Sequence, residues 1–294
     1  MLVGAASAGG THERQRRGLN SQTYIVPQQT NADALALCHS WHEGEAEIGT
    51  TYGSGGQGAH MDDMTDGITF ERVTRTDLDD IVGLAQAAWY SPDGLGDLAA
   101  GTLDEAGLDG DEREVAARLL ATDEVASYLA ESTWGMKALL DGQVVGIILT
   151  QGTHASAEAS AYWEGVGQQA REAAERLLAQ AREREERATE PGEPVYLDEA
   201  RATDEMRAEA GLANQPRVLL LVVGEAARGH GLGRRLLARA RDHFSRHGAE
   251  RYWLVTDTDC DWPFYEHLGL ERLAERTGAV ADAPERYFVY GGRA

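Results

Sequence analysis

Three glycines alternate with other residues in the segment Arg228-Gly-His-Gly-Leu-Gly233, and positive charge is concentrated around them. Seven arginines but only two acids fall between residues 228 and 251, in a chain whose formal net charge is −22. Glycine lets the backbone approach a ligand closely, and the free N–H groups and dipole at a helix start attract anions. The apolar run 218–223 precedes this segment and a helical pattern follows it. The sequence therefore predicts a strand–turn–helix cradle for a phosphorylated ligand.

The overall composition narrows the class of protein. The chain has 294 residues, its acids outnumber its basic residues, and Lys137 is its sole lysine. Nucleic-acid binding, which needs a broad basic surface, is not expected. The two cysteines, Cys38 and Cys260, provide neither a disulfide framework nor a metal spacing. We find no signal-peptide pattern and no apolar run long enough for a membrane span, so we expect a cytoplasmic protein without metal or membrane partners.

The apolar pattern divides the chain into two parts. Residues 1–66 are rich in Gly, Ser, Thr and Gln, so we predict a disordered N-terminal extension there. Met61 and Met64 lie just before the first predicted strand, which leaves open whether residues 1–60 belong to the native product. Residues 67–294 are predicted to form one folded domain with a helical insertion at about 155–212.

Within the folded part, periodicity and turn signals predict the individual elements. The predicted strands are 68–73, 134–140, 144–150, 218–223, 251–256 and 286–290. The predicted helices are 76–88, 114–129, 198–210, 233–248 and 262–268, besides a long inserted helix that breaks at Pro191. Asp141-Gly142 is a strong signal for a hairpin turn.

The glycine turn has two alternative interpretations. In a dinucleotide-binding βαβ unit, Asp257 at the end of the next strand would bind the ribose. Against this, Arg234 occupies the third glycine position when the motif is counted from Gly229, and little chain follows to complete a doubly wound sheet. The other alternative is a glycine-rich turn that serves packing alone.

A third interpretation explains more residues. Arg228, Gly231 and Gly233 stand at the defining places of Gln/Arg-x-x-Gly-x-Gly/Ala, and the segment resembles this signature of the GNAT superfamily of N-acetyltransferases. Downstream, the segment Phe264-Tyr-Glu-His-Leu-Gly-Leu270 is similar to the Phe-Tyr-x-x-x-Gly-Phe segment of that superfamily, with leucine at the final place. The order of predicted elements also matches. The resemblance covers roughly residues 67–294, apart from the insertion.

The resemblance implies an α/β (α+β) fold with a mixed, mostly antiparallel central sheet that is flanked by helices and splays near the coenzyme. It implies acetyl-CoA as a co-substrate and an N-acetyltransferase that transfers the acetyl group directly to an amine. The residues implied in pyrophosphate binding are Arg228, Gly229, His230, Gly231, Leu232, Gly233 and Arg234. The strand residues Leu221, Val222 and Val223 would pair with the pantetheine arm.

The resemblance also suggests catalytic roles. The Val223 N–H is expected to stabilise the oxyanion, and Tyr265 is expected to act as the general acid for the departing thiolate. Glu225 and Asp257, which follow neighbouring strands, are the candidate general bases, although deprotonation through water needs no dedicated residue. We expect Cys260 to pack in the interior, because this superfamily generally transfers the acyl group without a covalent intermediate.

The identity of the acceptor is left open. The inserted segment carries 14 acids and seven arginines, which favours a cationic small-molecule or peptide amine if the segment covers the site. The alternative is a helical excursion that increases solubility and makes no substrate contact. A non-catalytic module that binds or senses acyl-CoA is the alternative function. The chain is expected to be a monomer or a homodimer.

Overall fold

Seven strands form one sheet in the part of the chain that the structure, a computed structural model, describes: residues 67–90, 103, 107–152, 157–184, 195–280 and 283–294. The strand order is β1-β2-β3-β4-β5-β7-β6. All neighbouring strands are antiparallel except β4 and β5, which are parallel. The predicted extension, residues 1–66, lies outside the described residues.

The helices and strands follow one another along the chain in a mixed order. The strands are β1 (Ile68–Arg72), β2 (Trp134–Leu140), β3 (Gln143–Gln151), β4 (Arg217–Val223), β5 (Arg251–Asp257), β6 (Glu271–Thr277) and β7 (Arg286–Arg293). The α-helices are α1 (Leu78–Trp89), α2 (Gly110–Glu131), α3 (Ala157–Arg184), α4 (Val195–Glu209), α5 (Leu232–Arg246) and α6 (Pro263–His267). Short 3₁₀ turns precede α1 and follow β4.

This topology confirms the predicted mixed, mostly antiparallel sheet flanked by helices. A single parallel pair in the described sheet contradicts the dinucleotide-binding alternative, because a doubly wound unit needs several parallel strands joined by crossover helices. The predicted hairpin turn is also present, since Asp141 and Gly142 both have positive φ, at 52° and 81°.

The sequence analysis missed the strand β6. Five of its seven residues are polar or charged and only Ala274 is buried, and the strand lies at the edge of the sheet, where it pairs with β7 alone. An edge strand needs few apolar residues, because solvent reaches its outer side. Apart from Leu273 and Ala274 in its middle, β6 therefore lacks the apolar residues from which the other strands were predicted.

The two faces of the sheet carry different helices. Helix α5 covers one face, where Leu236, Leu237 and Phe244 pack against Val218 of β4 and Leu254 of β5. On the opposite face, α1 and α2 cover β3 and β4, and α4 covers β5 and β7. Helices α1, α2 and α4 therefore share one side of the sheet.

The predicted insertion is part of the hydrophobic core. Helix α3 packs along α2, and its Trp163 is fully buried together with residues of α1 and α2. In α4, Ala202 and Met206 are buried against β5 and β7. The segment is therefore more than a solvated excursion, because its helices bury apolar residues that the rest of the domain needs covered.

The sole lysine, on β2, forms ion pairs with an acid of β1 and with an acid of the 3₁₀ turn that precedes α1. Lys137 Nζ donates to the Asp77 carboxylate at 2.6 Å and lies 3.5 Å from the Glu71 carboxylate. Desolvation opposes the charged ammonium, but the bonds to Asp77 and Glu71 outweigh it and raise the pKa of Lys137. The amine therefore stays protonated.

The described residues contain no helix that is both long enough and apolar enough to cross a bilayer.

Candidate active site at the split between β4 and β5

The parallel strands β4 and β5 separate soon after they begin. They pair at two positions, Arg217 with Trp253 and Val218 with Leu254, and no further pairing joins them. On the other side of β4, the register with β3 shifts by one residue, which leaves Leu219 as the extra residue of a β-bulge. A bulge bends its strand and increases the local twist. The predicted splay of the sheet is therefore present, and it begins at this bulge.

Beyond the bulge, the main-chain N–H groups of β4 point alternately towards β3 and towards the split. The Gly224 N–H donates to the Val145 carbonyl of β3 at 2.9 Å. Because successive residues of a strand point their polar groups to opposite sides, the Val222 N–H also faces β3, and those of Leu221 and Val223 face the split. Of the three strand residues predicted to pair with a pantetheine arm, Leu221 and Val223 thus present main-chain groups there, whereas Val222 does not.

The glycine turn between β4 and α5 is open. Gly229 and Gly231 have φ values of 77° and 73°, and a Cβ added to either would meet no atom within 4 Å. Gly231 is the N-cap of α5, and no side chain caps the N–H groups of the first helical turn. His230 and Arg234 are exposed beside it, whereas the Leu232 side chain is buried. Uncapped amides on left-handed glycines form a concave anion site.

Most of the seven arginines lie away from this turn. The guanidinium groups of Arg235 and Arg239 lie over the Phe70 ring, at 4.9 and 3.4 Å from its centroid. The Arg241 Nε donates to the Arg293 carbonyl at 3.1 Å. The sequence count therefore overstated the positive charge at the turn, which depends mainly on Arg228 and Arg234.

Arg228 is exposed and folds back onto the end of β4. Its Nε donates to the Val223 carbonyl at 3.1 Å. This bond occupies the one strand carbonyl next to the turn and fixes the guanidinium between the split and the glycines. Arg228 can therefore serve an anion only with the guanidinium nitrogens that remain.

The two sequence motifs meet in space. A Cβ at Gly233 would lie 3.3 Å from Cζ of Phe264, so the first turn of α5 packs directly against α6. The next residue, Tyr265, is half-buried, with its ring 5.2 Å from that of Phe264 and 5.8 Å from that of Tyr290. This contact explains why the glycine turn and the Phe-Tyr segment occur together at a fixed spacing.

The hydroxyl of Tyr265 suits a proton donor. Desolvation, followed by the charges of Cys260, Asp261 and Asp257, raises the pKa of Tyr265 above its usual value. The phenol is therefore neutral at pH 7 and keeps its proton. None of the hydrogen bonds between described side chains engages this hydroxyl.

The two candidate bases occupy different environments. Glu225 is exposed at the start of the 3₁₀ turn after β4. Asp257 is half-buried at the end of β5, and its Oδ1 accepts the Asp259 N–H at 2.8 Å. Desolvation raises the pKa of Asp257, although hydrogen bonds from the turn oppose the change. Of the two, only Asp257 is surrounded by protein.

The predicted packing role of Cys260 is wrong, because this residue is exposed. Desolvation and the nearby Asp257 carboxylate raise the pKa of its thiol. The thiol is therefore mostly protonated at pH 7 and reacts slowly, since the thiolate is the reactive form, although reagents can reach it.

Two carboxylates that the sequence analysis did not select lie on the face of the sheet opposite α5. Glu124 of α2 accepts hydrogen bonds from the Tyr90 hydroxyl at 2.9 Å and the Tyr128 hydroxyl at 3.4 Å, one on each oxygen. Desolvation raises the pKa of Glu124, and the two phenols oppose the change. Glu199 of α4 has its pKa raised to about 7, first by desolvation and then by Glu124 and Asp257, against Arg217.

These mutual effects place Glu124, Glu199 and Asp257 within electrostatic reach of one another. All three are half-buried: protein atoms crowd them closely enough to desolvate them, yet solvent still reaches them. Side chains on the wall of a cleft have this combination. The acids belong to α2, α4 and β5, which border the split on the face opposite α5.

A separate groove of about 430 Å³ lies between α2 and α3. Asp123 and Arg171, which line it, form a two-pronged ion pair with both N–O distances at 2.8 Å. None of the residues predicted to bind coenzyme or to act in catalysis lines this groove.

Comparison with known families supports the motif assignment. Residues 164–280, which are less than half of the chain, match the family described as the Acetyltransferase (GNAT) domain. The matched range begins within α3 and includes the glycine turn, α5, β5 and Tyr265. The match confirms the predicted resemblance to the GNAT superfamily over this part of the chain. No curated protein matches the sequence.

Among solved structures, 222 chains match. One is the ribosomal-protein-S18-alanine N-acetyltransferase of Escherichia coli, with 13% identity, a TM-score of 0.39, and 77% of this chain and 93% of that chain covered. Another is the mosquito arylalkylamine N-acetyltransferase like 5b, with 14% identity, a TM-score of 0.41, and coverage of 77% and 100%. A third is a candidate streptothricin acetyltransferase of Bacillus anthracis in complex with acetyl coenzyme A, with 14% identity, a TM-score of 0.33, and coverage of 55% and 63%. Likenesses this distant carry no conclusion about the substrate of this chain.

Proposed function

We propose that this protein transfers the acetyl group of acetyl-CoA directly to an amine. The observation that carries the proposal is the contact between the two motifs at Gly233 and Phe264. This contact brings together an open anion-binding turn, a strand edge with unpaired amides, and a protonated phenol. These are the three groups that a transfer from a phosphorylated thioester needs.

The residues at the split fit the co-substrate. The N–H groups of the turn from Arg228 to Gly233, with the exposed guanidinium of Arg234, would hold the pyrophosphate. The space beside Gly229 and Gly231 is open. A side chain at either position would fill the space that the anion needs, and glycine has none. The edge of Leu221 and Val223 offers main-chain groups to the amide-bearing arm of the coenzyme, as a strand edge does to a peptide.

The reaction balances without a covalent enzyme intermediate. The amine nitrogen attacks the thioester carbonyl carbon, a C–N bond forms, and the C–S bond breaks. The Val223 N–H would stabilise the negative charge on the carbonyl oxygen during the attack. The leaving thiolate takes a proton or a strong hydrogen bond from Tyr265, and the amine loses its proton to a carboxylate of the cleft or to water.

The alternative, a module that binds acyl-CoA without catalysis, is not favoured. A sensing module needs the turn and the strand edge but has no use for a protonated phenol beside them. Half-buried Asp257 also fits proton removal better than exposed Glu225, because desolvation brings the pKa of its carboxyl closer to neutrality.

The direct test measures binding and transfer separately. Calorimetry of the full chain with acetyl-CoA should give heat of association, and free thiol should appear when primary amines are added. Absence of both heat and thiol would contradict the proposed function.

The sharpest single variant is Tyr265→Phe, which removes only the hydroxyl. We expect turnover to fall by about tenfold to hundredfold, the scale of general acid catalysis. The affinity for acetyl-CoA, measured by calorimetry, should be kept. The matched control is Tyr162→Phe, which removes the same group from an exposed tyrosine of α3. Unchanged turnover in Tyr265→Phe would remove this residue from the mechanism.

A further inference from the structure

Two helices border the split on the face opposite the coenzyme helix α5. Helix α2 lies over β3 and β4, and helix α4 lies over β5 and β7. The strands that part are β4 and β5, so the open part of the sheet lies between the areas covered by these two helices. An acceptor that approaches the split from this side passes between α2 and α4.

The two helices that border this passage carry acids that differ in their hydrogen bonding. The Glu124 carboxylate of α2 is fixed by the hydroxyls of Tyr90 and Tyr128. The Glu199 carboxylate of α4 makes no hydrogen bond or ion pair within the described chain, although it is desolvated. The charge of Arg217 lowers the pKa of Glu199, but the guanidinium forms its ion pair with Glu131, at 3.5 Å, and lies over the Trp253 ring at 5.4 Å. A desolvated carboxylate without a partner is costly unless a ligand provides one.

A second unsatisfied group lies below Glu199. The Tyr287 hydroxyl on β7 is 1% exposed and has no hydrogen-bond partner of acceptable geometry, although the Asp198 carboxyl lies near it. Its ring packs under α4, and Tyr287 pairs with Asp257 across β5 and β7. Its hydroxyl lies within the fields of Glu199 and Asp257. Within the described residues, Glu199 of α4 and the Tyr287 hydroxyl of β7 thus both lack a hydrogen-bond partner of good geometry.

We infer that α2 and α4 form the two walls of the acceptor site and that Glu199, with Glu124, selects a positively charged amine and takes its proton. The inference rests on the proposed acetyl transfer and assigns the acceptor class for it. Part of the inserted segment thereby becomes a substrate-binding wall.

The two acids have different tasks in this arrangement. Glu124, held through both oxygens, provides a fixed negative field that attracts an ammonium group. Glu199, which has no hydrogen bond or ion pair to any described residue, binds the ammonium and accepts one proton from it, so that the neutral amine can attack the thioester. The proton then resides on the Glu199 carboxyl and is lost to solvent after transfer. An acceptor with a second cationic group gains twice, because one charge remains paired with the cleft after the other is neutralised.

The test uses three amines of equal length that differ only at the far end: 1,5-diaminopentane, pentylamine and 5-aminopentanoate. For the wild-type chain we expect kcat/KM to be about tenfold higher for the diamine than for pentylamine, and lowest for the amino acid. In Glu199→Gln the differences between the three should shrink to about threefold or less, while the affinity for acetyl-CoA is unchanged.

A matched control lies on the same helix. The Glu205 carboxylate is exposed and pairs with Arg276 at 3.3 Å, outside the cleft. Glu205→Gln removes the same charge from α4, so it should keep the preference for the diamine. A general effect of lower negative charge would instead appear equally in both variants.

A second measurement does not require turnover. In a Cys38→Ser background, the alkylation rate of exposed Cys260 reports occupancy of the cleft, because Cys260 lies within the fields of Asp257 and Glu199. 1,5-Diaminopentane should slow this alkylation in the parent chain and have no effect in Glu199→Gln.

The possible outcomes separate this inference from the proposed function. Equal kcat/KM values for the three amines, or a diamine preference that survives in Glu199→Gln, would overturn the assignment of the acceptor site. Neither result would affect the proposed acetyl transfer. A chain that binds acetyl-CoA yet shows no protection of Cys260 by the diamine also overturns it. Absence of any heat with acetyl-CoA would remove both.

Discussion

The two sides of the split between β4 and β5 are built in opposite ways. On the α5 side, binding groups come from the main chain of one continuous segment, Leu221 to Arg234, and are positive or neutral. On the other side they are the side chains of Glu124, Glu199 and Asp257, from three elements far apart in sequence, and they are acidic. From this difference we infer that one sheet defect serves two ligands of opposite charge, one on each face.

The two sides also differ in their response to pH. Main-chain amides do not titrate, whereas carboxyl groups whose pKa values are raised towards neutrality do. We therefore expect coenzyme affinity to vary little between pH 6 and pH 8 through the turn itself, and acceptor binding to vary strongly. Each of the following variants alters one side and leaves the other intact.

The largest effect is expected on the coenzyme side from Gly231→Ala. At a φ of 73° a Cβ costs about 1–2 kcal/mol, and it would also cover the N–H groups that start α5. We expect acetyl-CoA affinity, measured by calorimetry, to fall by about tenfold to hundredfold. The preference for a cationic amine at saturating acetyl-CoA should be unchanged.

The control for this variant is Gly211→Ala, at the end of α4. Gly211 also has a positive φ, 68°, and open space around its missing Cβ. It should show a similar loss of stability without loss of acetyl-CoA affinity. Equal losses of affinity in both variants would mean that backbone strain, and not the anion site, explains the result.

A smaller effect is expected on the acidic side from the pH dependence of stability in Glu199→Gln. The folded-state pKa of Glu199, about 7, lies above the usual glutamate value of 4.5. The folded state therefore binds more protons between these pH values, so wild-type stability falls as pH rises through this range. Removing the acid should leave stability nearly unchanged at pH 4.5 and raise the free energy of unfolding by about 1 kcal/mol at pH 8, after allowance for solvent in the cleft.

The measurement is urea unfolding of the wild type and Glu199→Gln at both pH values. The carboxyl groups that face Glu199, namely Glu124 and Asp257, and the guanidinium of Arg217 are present in both proteins, so the difference between them isolates Glu199. A difference that does not depend on pH would mean that folding leaves the pKa of Glu199 unchanged.

The smallest effect is expected from Arg234→Gln, which removes one exposed charge next to the turn. Because solvent screens this guanidinium, acetyl-CoA affinity should fall only about two- to threefold, and less at high salt. Arg239→Gln serves as the comparison, since Arg239 stacks on Phe70 at 3.4 Å, and it should alter stability more than affinity. A large, salt-independent loss in Arg234→Gln would mean that side-chain charge, more than main-chain amides, holds the anion.

Much of the fold followed from local patterns. The hairpin at Asp141 and Gly142 and the strand–turn–helix from β4 to α5 were predictable, because turn residues and apolar alternation act within a few residues. The strand β6 was not, because an edge strand keeps polar residues and is specified by its pairing with β7. The packing of α3 along α2 was not predicted, because an apolar helix face does not specify which neighbour covers it.

The same distinction between local and non-local signals explains which residues of the candidate site were predictable. The glycine turn and Tyr265 stand out because glycines at fixed spacing are a local signal. Glu124 and Glu199 resemble the other acids of an acid-rich chain until the fold brings α2 and α4 to the split and desolvates them. The bulge at Leu219 leaves no mark in the uniformly apolar run of β4.

The ion pair of Lys137 has a consequence for a protein that handles a reactive thioester. Amines attack thioesters only in their neutral form, and the one lysine of this chain is both enclosed and held as an ammonium by Asp77 and Glu71. The chain therefore offers its own acyl donor no lysine side chain on which to react. Prolonged exposure to acetyl-CoA should leave this lysine unacetylated in mass spectra, and Asp77→Asn should be the change that makes it vulnerable.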